Sequence, residues 1–313
     1  MTVSTPKTPA PILIGPEVEP TLNWLALTDA LQAGHLRPRA EIGDTFLYRG
    51  HDTLLSRAAW IDGMGLAVKT ATIFPANPAA GRPSVNGAVN LYSDHDGTLE
   101  ALVDFHLVTK WKTAGDSLLA ARLLARPDSK NILLVGAGTV ARSMVAAYSS
   151  LFADAQFTVW NRTPSGAAAM AASLPNVTAT DDLATAVGCA DIIATATMAT
   201  TPVIRGEWLR PGTHLDLIGA YRPDMREVDD GALLRAKIFV DSRSTTIDHI
   251  GELKDPIARG VLTPNQIVAD FYDIAAGKFR RDSADQITIA KNGGGAHLDL
   301  MTARYILSSA QAH

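Results

Sequence analysis

The chain changes its hydrophobic rhythm once. In its first part, apolar and polar residues alternate as in half-buried strands, or recur on one helical face. Asn23 to Ala33 sets Trp24, Leu27 and Leu31 on one side of a helix. Strand patterns follow at Thr45–Tyr48, Thr53–Trp60, Leu66–Phe74 and Gly87–Tyr92, and Asp94-His95-Asp96-Gly97 reads as a hairpin turn into Leu99–Asp104. Asp116 to Ala125 reads as a helix closed by Pro127. Residues 1–10, rich in Thr and Pro, read as disordered.

From Asn131 the apolar runs become continuous. Ile132-Leu133-Leu134-Val135 has no polar break, as expected of a parallel strand buried on both faces. A helix at 139–152, a strand at 157–160, a helix at 165–173 and strands at 191–195, 214–218 and 237–240 follow. That is a βαβ rhythm. Ala296 to Ser309 is a closing helix. Two architectures meet near residues 126–130, and the expected class is α/β.

Composition removes several kinds of partner. With 313 residues, 47% hydrophobic, the chain can bury a full core and has the length of two domains. A net charge of −4 offers nothing general to nucleic acid or an anionic membrane. No stretch approaches the roughly 20 apolar residues of a membrane span, and the start lacks a signal-peptide core, so a soluble cytoplasmic protein is expected. The single cysteine, Cys189, excludes an intrachain disulfide and is expected to be a small buried hydrophobe. His51, His95 and His106 lack metal-ligand spacing, and no metal site is expected.

The strand at 132–135 runs into Gly136-Ala137-Gly138-Thr139-Val140-Ala141, a G-x-G-x-x-A turn that opens an alanine-rich helix. Strand before, helix after and a second strand on schedule are the context in which this motif cradles a dinucleotide. Gly136 permits the tight turn, Gly138 lets backbone approach a pyrophosphate, and Ala141 lets the helix lie against the strand. The helix N-terminus then presents free N–H groups to phosphate. This half of the chain is therefore expected to be a Rossmann domain. The second strand ends in Asn161-Arg162-Thr163, where an NAD site would place Asp or Glu. A carboxylate would repel a 2′-phosphate, whereas the Arg162 guanidinium can fork onto one, so NADP(H) is favoured over NAD(H). Thr195, Thr197 and Met198, after the next strand, are expected along the ribose and nicotinamide side.

These motifs, taken in order, resemble the ornithine cyclodeaminase/mu-crystallin family from about Leu54 to Leu307. The resemblance is carried by Leu66–Pro78, Pro83–Gly87, Val108–Ser117, Val135–Gly138, Trp160–Thr163, Pro211–His214, Ile218–Pro223, Glu227–Asp230, Val240–Ser242 and Ala290–Gly294. It implies a homodimer, with a substrate-binding and dimerisation domain at 1–126 and 297–313 and an NAD(P)-binding Rossmann domain at 127–296. It also implies hydride transfer to amino acids or cyclic imines, with Gly219 and Gly293 added to the cofactor site. Lys69 matches the family's lysine beside the reacting nitrogen, where burial or neighbouring cations would tune it as a proton donor. Ser84, Thr113, Tyr221 and Asn292 are the expected substrate contacts.

Two departures shape the reading. Lys112 stands where the family usually has a carboxylate-clamping arginine, and Arg57, where the family more often has methionine or proline, is expected to restore the guanidinium. Tyr221 stands where cyclodeaminases of this family carry an aspartate. Ketimine reductases like mu-crystallin lack that aspartate and share Asn-Arg-Thr. The expected activity is therefore reduction of cyclic ketimine carboxylates, Δ1-pyrroline-2-carboxylate or Δ1-piperideine-2-carboxylate, to L-proline or L-pipecolate. An ornithine cyclodeaminase, an alanine-type dehydrogenase and a non-catalytic NADP-binding protein stay open as alternatives. Asp116 and Ser117 read as caps of the helix that begins there, and His297 as a surface or helix-start histidine.

Overall fold

The computed structural model describes residues 10–312, so all but Ala10 of the segment read as disordered lies outside the described residues. The chain divides into two compact units: one runs to Lys112 and takes up Gly295 onward, and the other is Thr113–Gly294. The α/β class expected from the sequence is what the structure has, with one sheet in each unit.

In the first unit six strands form a sheet in the order β1-β6-β5-β4-β3-β2. These are β1 (Ile12–Ile14), β2 (Glu41–Arg49), β3 (Asp52–Ile61), β4 (Gly65–Ile73), β5 (Val85–Tyr92) and β6 (Leu99–Asp104). β2 to β6 pair antiparallel with one another and β1 runs parallel to β6, and the Asp94–Gly97 turn falls where expected, with Gly97 at φ 70. Much of the sheet's inner face is apolar, with Ala67, Ala71, Val89, Leu91, Ala101 and Val103 all buried. That face packs on the helix α9 (Ala296–Gln311), which in turn lies against α1 (Trp24–His35). α1 begins as the sequence requires, with the Asn23 side chain accepting from Ala26 N at 3.0 Å.

α2 (Phe105–Leu124) starts eleven residues before the Asp116 expected from the sequence. It begins directly at the end of β6, where the Asp104 carboxylate accepts from Leu107 N at 2.7 Å and caps the first turn. Asp116 and Ser117 are consequently not caps but fully buried mid-helix residues.

The second unit is an eight-stranded, all-parallel sheet in the order β13-β12-β14-β11-β10-β7-β8-β9. Its strands are β7 (Asn131–Val135), β8 (Gln156–Trp160), β9 (Val177–Thr180), β10 (Ile192–Thr195), β11 (His214–Leu217), β12 (Lys237–Val240), β13 (Ile267–Ala269) and β14 (Thr288–Lys291). Its helices are α3 (Thr139–Leu151), α4 (Pro164–Ser173), α5 (Leu183–Cys189), α6 (Asp230–Arg235), α7 (Arg243–Thr246) and α8 (Gly251–Ala258). Ile132 to Val135 and Ile192 to Ala194 are buried throughout, the signature of strands covered on both faces. The chain lays down β7, β8 and β9 in one direction, then returns to place β10 on the other side of β7. The strand order thus reverses between β7 and β10, the point where parallel sheets of this kind bind ligands. Cys189 is exposed at the end of α5 rather than buried, because the apolar run ends on the outer turn of that helix.

Candidate active site

In the second unit a cleft opens at the carboxyl ends of β7, β8 and β10. Gly136, Ala137, Gly138, Asn161, Arg162, Thr197 and Met198 line it, so seven of the expected cofactor residues meet there. Gly136 has φ 112, and a Cβ would lie 2.7 Å from the carbonyl oxygen of Ala196, so no other residue fits that turn. A Cβ on Gly138 would meet nothing within 4 Å, so the space over that backbone is open. Gly138 is also the N-cap of α3 and supplies no side chain to the helix N–H groups behind it. An uncapped helix start under an open glycine loop suits a diphosphate, and these residues fit a dinucleotide.

The end of β8 is arranged around Asn161. Its Nδ2 donates to the Thr163 carbonyl at 2.8 Å, which folds the amide over the turn into α4. Arg162 is exposed and, among the described residues, has no hydrogen-bond or ion-pair partner. Thr139 and Val140 lie in the first turn of α3 and Thr163 caps α4, all outside the cleft lining. Thr195 is fully buried and turned away from it.

The reason is a carboxylate that the sequence reading passed over. Glu227, fully buried, accepts from Thr195 Oγ1 and Gly219 N at 2.8 Å and from Ala220 N at 3.1 Å through Oε2. Its Oε1 accepts from Thr197 N at 2.8 Å and Thr197 Oγ1 at 2.7 Å. One side chain thereby fixes the segments that leave β10 and β11. Gly219 is obligatory there, since a Cβ would sit 2.2 Å from the Thr197 carbonyl oxygen. Behind Glu227, the buried Glu252 accepts from the backbone N–H of Glu227 and of Val228. Burial, and then the charge of Glu227, pushes the Glu252 carboxyl up to about 7.

At the same carboxyl edge of the sheet, Lys291 is the last residue of β14, level with Leu217 of β11. Its Nζ is fully buried and donates to the carbonyls of Leu217 and Asn292 at 2.6 and 2.7 Å. Asn292 is also buried, and its side-chain amide has no hydrogen-bond partner among the described residues. Gly293 and Gly294 donate their N–H groups to Asp241 Oδ2. Tyr221 is 56% exposed, with the Arg222 guanidinium over its ring.

The first unit holds a separate group of charges on the inner face of its sheet. Lys69 is buried, and its Nζ lies 2.9 Å from Asp299 Oδ1 and 4.8 Å from the centroid of the Phe105 ring. Burial lowers its pKa below the usual lysine value; Asp299 opposes the shift, and Lys112 and Arg57 add to it. Lys69 is therefore no solvated strand-edge lysine. Arg57, expected to supply the guanidinium missing at Lys112, stands opposite Lys69 in the β3–β4 register. Its guanidinium is already engaged: Nη2 lies 2.6 Å from Asp44 Oδ2 and Nε 3.3 Å from Oδ1. Lys112 is half-buried and has no ion-pair partner among the described residues. Ser84 sits in the turn into β5, where its carbonyl accepts from Phe74 N at 2.7 Å. Thr113 is half-buried on α2.

His297 is not on the surface. It is fully buried in the first turn of α9, its ring edge-on to His35 with centroids 5.5 Å apart. Burial, then the neighbouring His35, holds it well below the usual imidazole range, so it is neutral at physiological pH. Asp299 and Asp44 were not singled out from the sequence, because the first lies 230 residues from its partner and the second is one acid on an exposed strand.

The ornithine cyclodeaminase/mu-crystallin family model matches residues 59–313. The chain is 51% identical over 291 residues to Δ1-pyrroline-2-carboxylate reductase of Paracoccus denitrificans, covering 91% of this chain and 92% of that protein. It is 31% identical to the ketimine reductase mu-crystallin of Mus musculus, over 78% of this chain and 76% of that one. Among solved structures it is similar to Thermococcus litoralis Δ1-pyrroline-2-carboxylate reductase in complex with NADH and L-proline, with a TM-score of 0.86 and 27% identity, covering 96% of this chain and 98% of the other.

Proposed function

The chain belongs to the ornithine cyclodeaminase/mu-crystallin family, and on that premise we propose that it is an NAD(P)H-dependent reductase of cyclic ketimine carboxylates. Its substrates are Δ1-pyrroline-2-carboxylate or Δ1-piperideine-2-carboxylate, and its products L-proline or L-pipecolate. The observation that carries this reading is the 51% identity, across nine-tenths of the chain, to a reductase of the first of these imines. The site chemistry agrees with it. Tyr221 offers no carboxylate base for releasing an amine.

The reduced nicotinamide supplies hydride to C2 of the ring when it is bound. Everything else falls to the protein. The loop from Gly136 to Gly138 and the start of α3 hold the diphosphate. Arg162, which has no other partner among the described residues, takes the 2′-phosphate of NADP(H), the favoured cofactor. Glu227 keeps the Thr197 and Gly219 backbone in place, where it would hold the ribose and nicotinamide half of the cofactor. Lys112 binds the substrate carboxylate. Lys69 donates the proton that the imine nitrogen requires, and Asp299 holds the ammonium in position. A lysine with a lowered pKa gives up its proton more readily than a solvated one, which is the requirement of a general acid near neutral pH.

The remaining parts of the reading are a homodimer and a cytoplasmic location. The outer face of the first unit's sheet supports the dimer. Leu47, Leu54 and Trp60 are 59%, 36% and 49% exposed there, and Val68 lies among them. Among the described residues, no helix is long and apolar enough to cross a membrane.

The deciding experiment measures NADPH consumption with five- and six-membered cyclic imine acids, with pyruvate plus ammonia, and ammonia release from ornithine without added reductant. Fast imine reduction is expected. Ornithine turnover at a matching rate, or no oxidation with either imine, would overturn the reading.

A further inference from the structure

Asp44, Arg57 and Lys69 stand side by side across three strands. Asp44 is opposite Arg57 in the β2–β3 ladder and Arg57 opposite Lys69 in the β3–β4 ladder, so all three share the inner face of the sheet. Of the three cations gathered there, Lys69 is held by Asp299 and Arg57 by Asp44, and Lys112 has no carboxylate partner among the described residues. The Arg57–Asp44 pair is two-pronged yet open: its side chains keep 26% and 30% of their exposure, so a solute can reach them. A pair this exposed adds little to stability. Its effect on a charged ligand is larger, because it cancels a guanidinium that would otherwise fork onto a carboxylate.

We propose that Asp44 is a specificity-determining residue, which masks Arg57 and restricts the site to imines bearing a single carboxylate. The inference rests on the reductase reading above and extends it to the substrate's charge. One carboxylate of a ligand is met by Lys112. A second carboxylate, on the side of Arg57, meets the Asp44 charge first. That repulsion is the discriminating element, and specificity set this way needs no new contact to the preferred substrate. With Asp44 made neutral, the Arg57 fork becomes available and the site accepts a 2-imino dicarboxylate. The reaction is unchanged in kind: hydride from the nicotinamide forms the new C–H bond at C2, the C=N π pair takes a proton to form N–H, and a 2-amino dicarboxylate and oxidised cofactor result.

The test uses the full-length protein and the variants Asp44→Asn, Asp44→Ala and Asp44→Asn with Arg57→Met. The quantity read is kcat/KM for iminosuccinate, generated from oxaloacetate and ammonium, divided by that for Δ1-pyrroline-2-carboxylate. The ratio is expected to rise at least tenfold in Asp44→Asn and to fall back when Arg57 is also replaced. An unchanged ratio, or a rise that survives the loss of Arg57, overturns the proposal. Equilibrium binding to the unaltered protein with oxidised cofactor is the second arm and needs no variant to fold. L-proline is expected to bind at least tenfold more tightly than L-aspartate, and equal affinity overturns the proposal. If the unaltered protein reduces neither imine, the reductase reading fails, and this binding arm still decides the role of Asp44.

Discussion

Asp299 Oδ1 lies 2.9 Å from Lys69 Nζ, so the first turn of the last helix supplies the counter-ion of a lysine in the fourth strand. Both side chains are buried, and the carboxylate sits where a helix N-terminus favours negative charge. Such a pair holds the ammonium at one point and opposes part of the pKa lowering that burial imposes.

The first prediction concerns that lysine. Lys69→Met should lower kcat/KM for the imine about 100-fold or more, the usual contribution of a positioned acid, with cofactor affinity retained. The pH profile reports on Asp299. A donor lysine must be protonated, so the rate falls as pH rises through its pKa. Asp299 raises that pKa, so Asp299→Asn should move the alkaline limb to lower pH. A limb that stays in place in Asp299→Asn would show that another group sets it.

Arg162 is the second. A charge-assisted hydrogen bond contributes roughly 1.5–3 kcal/mol, so Arg162→Ala should weaken NADPH binding about tenfold or more. NADH, which lacks the 2′-phosphate, should lose little. Titration of both cofactors by fluorescence checks this, and equal losses for the two would remove the phosphate contact.

Much of this was legible in the sequence, and what was not has a common cause. The alternation of Leu66 to Phe74, the run at Ile132 to Val135 and the Gly136–Gly138 turn report on themselves, because strand period, two-sided burial and positive φ are local properties. Seven of the expected cofactor residues meet in one cleft for the same reason. Thr195 failed as a cleft residue because its hydroxyl is claimed by Glu227, 32 residues on. Asp44 is set against Arg57 only by strand register, and Asp299 reaches Lys69 only through tertiary packing. No spacing rule exposes partners of that kind. The early start of α2 was hidden too, since its cap is the last residue of a strand.

The third prediction concerns assembly. Val68 belongs to the outer face of β4, beside Trp60 and Leu66, on the face where Leu47, Leu54 and Trp60 leave apolar surface exposed. If the proposed dimer forms through this face, Val68→Asp should split it while leaving each chain folded, read by sedimentation and far-UV circular dichroism together. A variant that sediments like the parent would move the interface elsewhere.

The last prediction is thermodynamic. Burial, and then Glu227, raises the Glu252 carboxyl from 4.5 to about 7. Between those values the unfolded chain has lost a proton that the folded chain keeps. Stability from this group is therefore full below about pH 4.5 and is lost progressively as pH rises to about 7. At about 1.4 kcal/mol per pH unit the loss is on the order of 3 kcal/mol. Glu252→Gln keeps an acceptor for the N–H groups of Glu227 and Val228 and has no proton to lose. Its melting temperature should gain on the parent's as pH rises from 5 to 8, whatever the other groups contribute to both. A constant difference between the two proteins across that range would mean that Glu252 ionises as an ordinary carboxylate, and that the Glu227 network carries two negative charges rather than one.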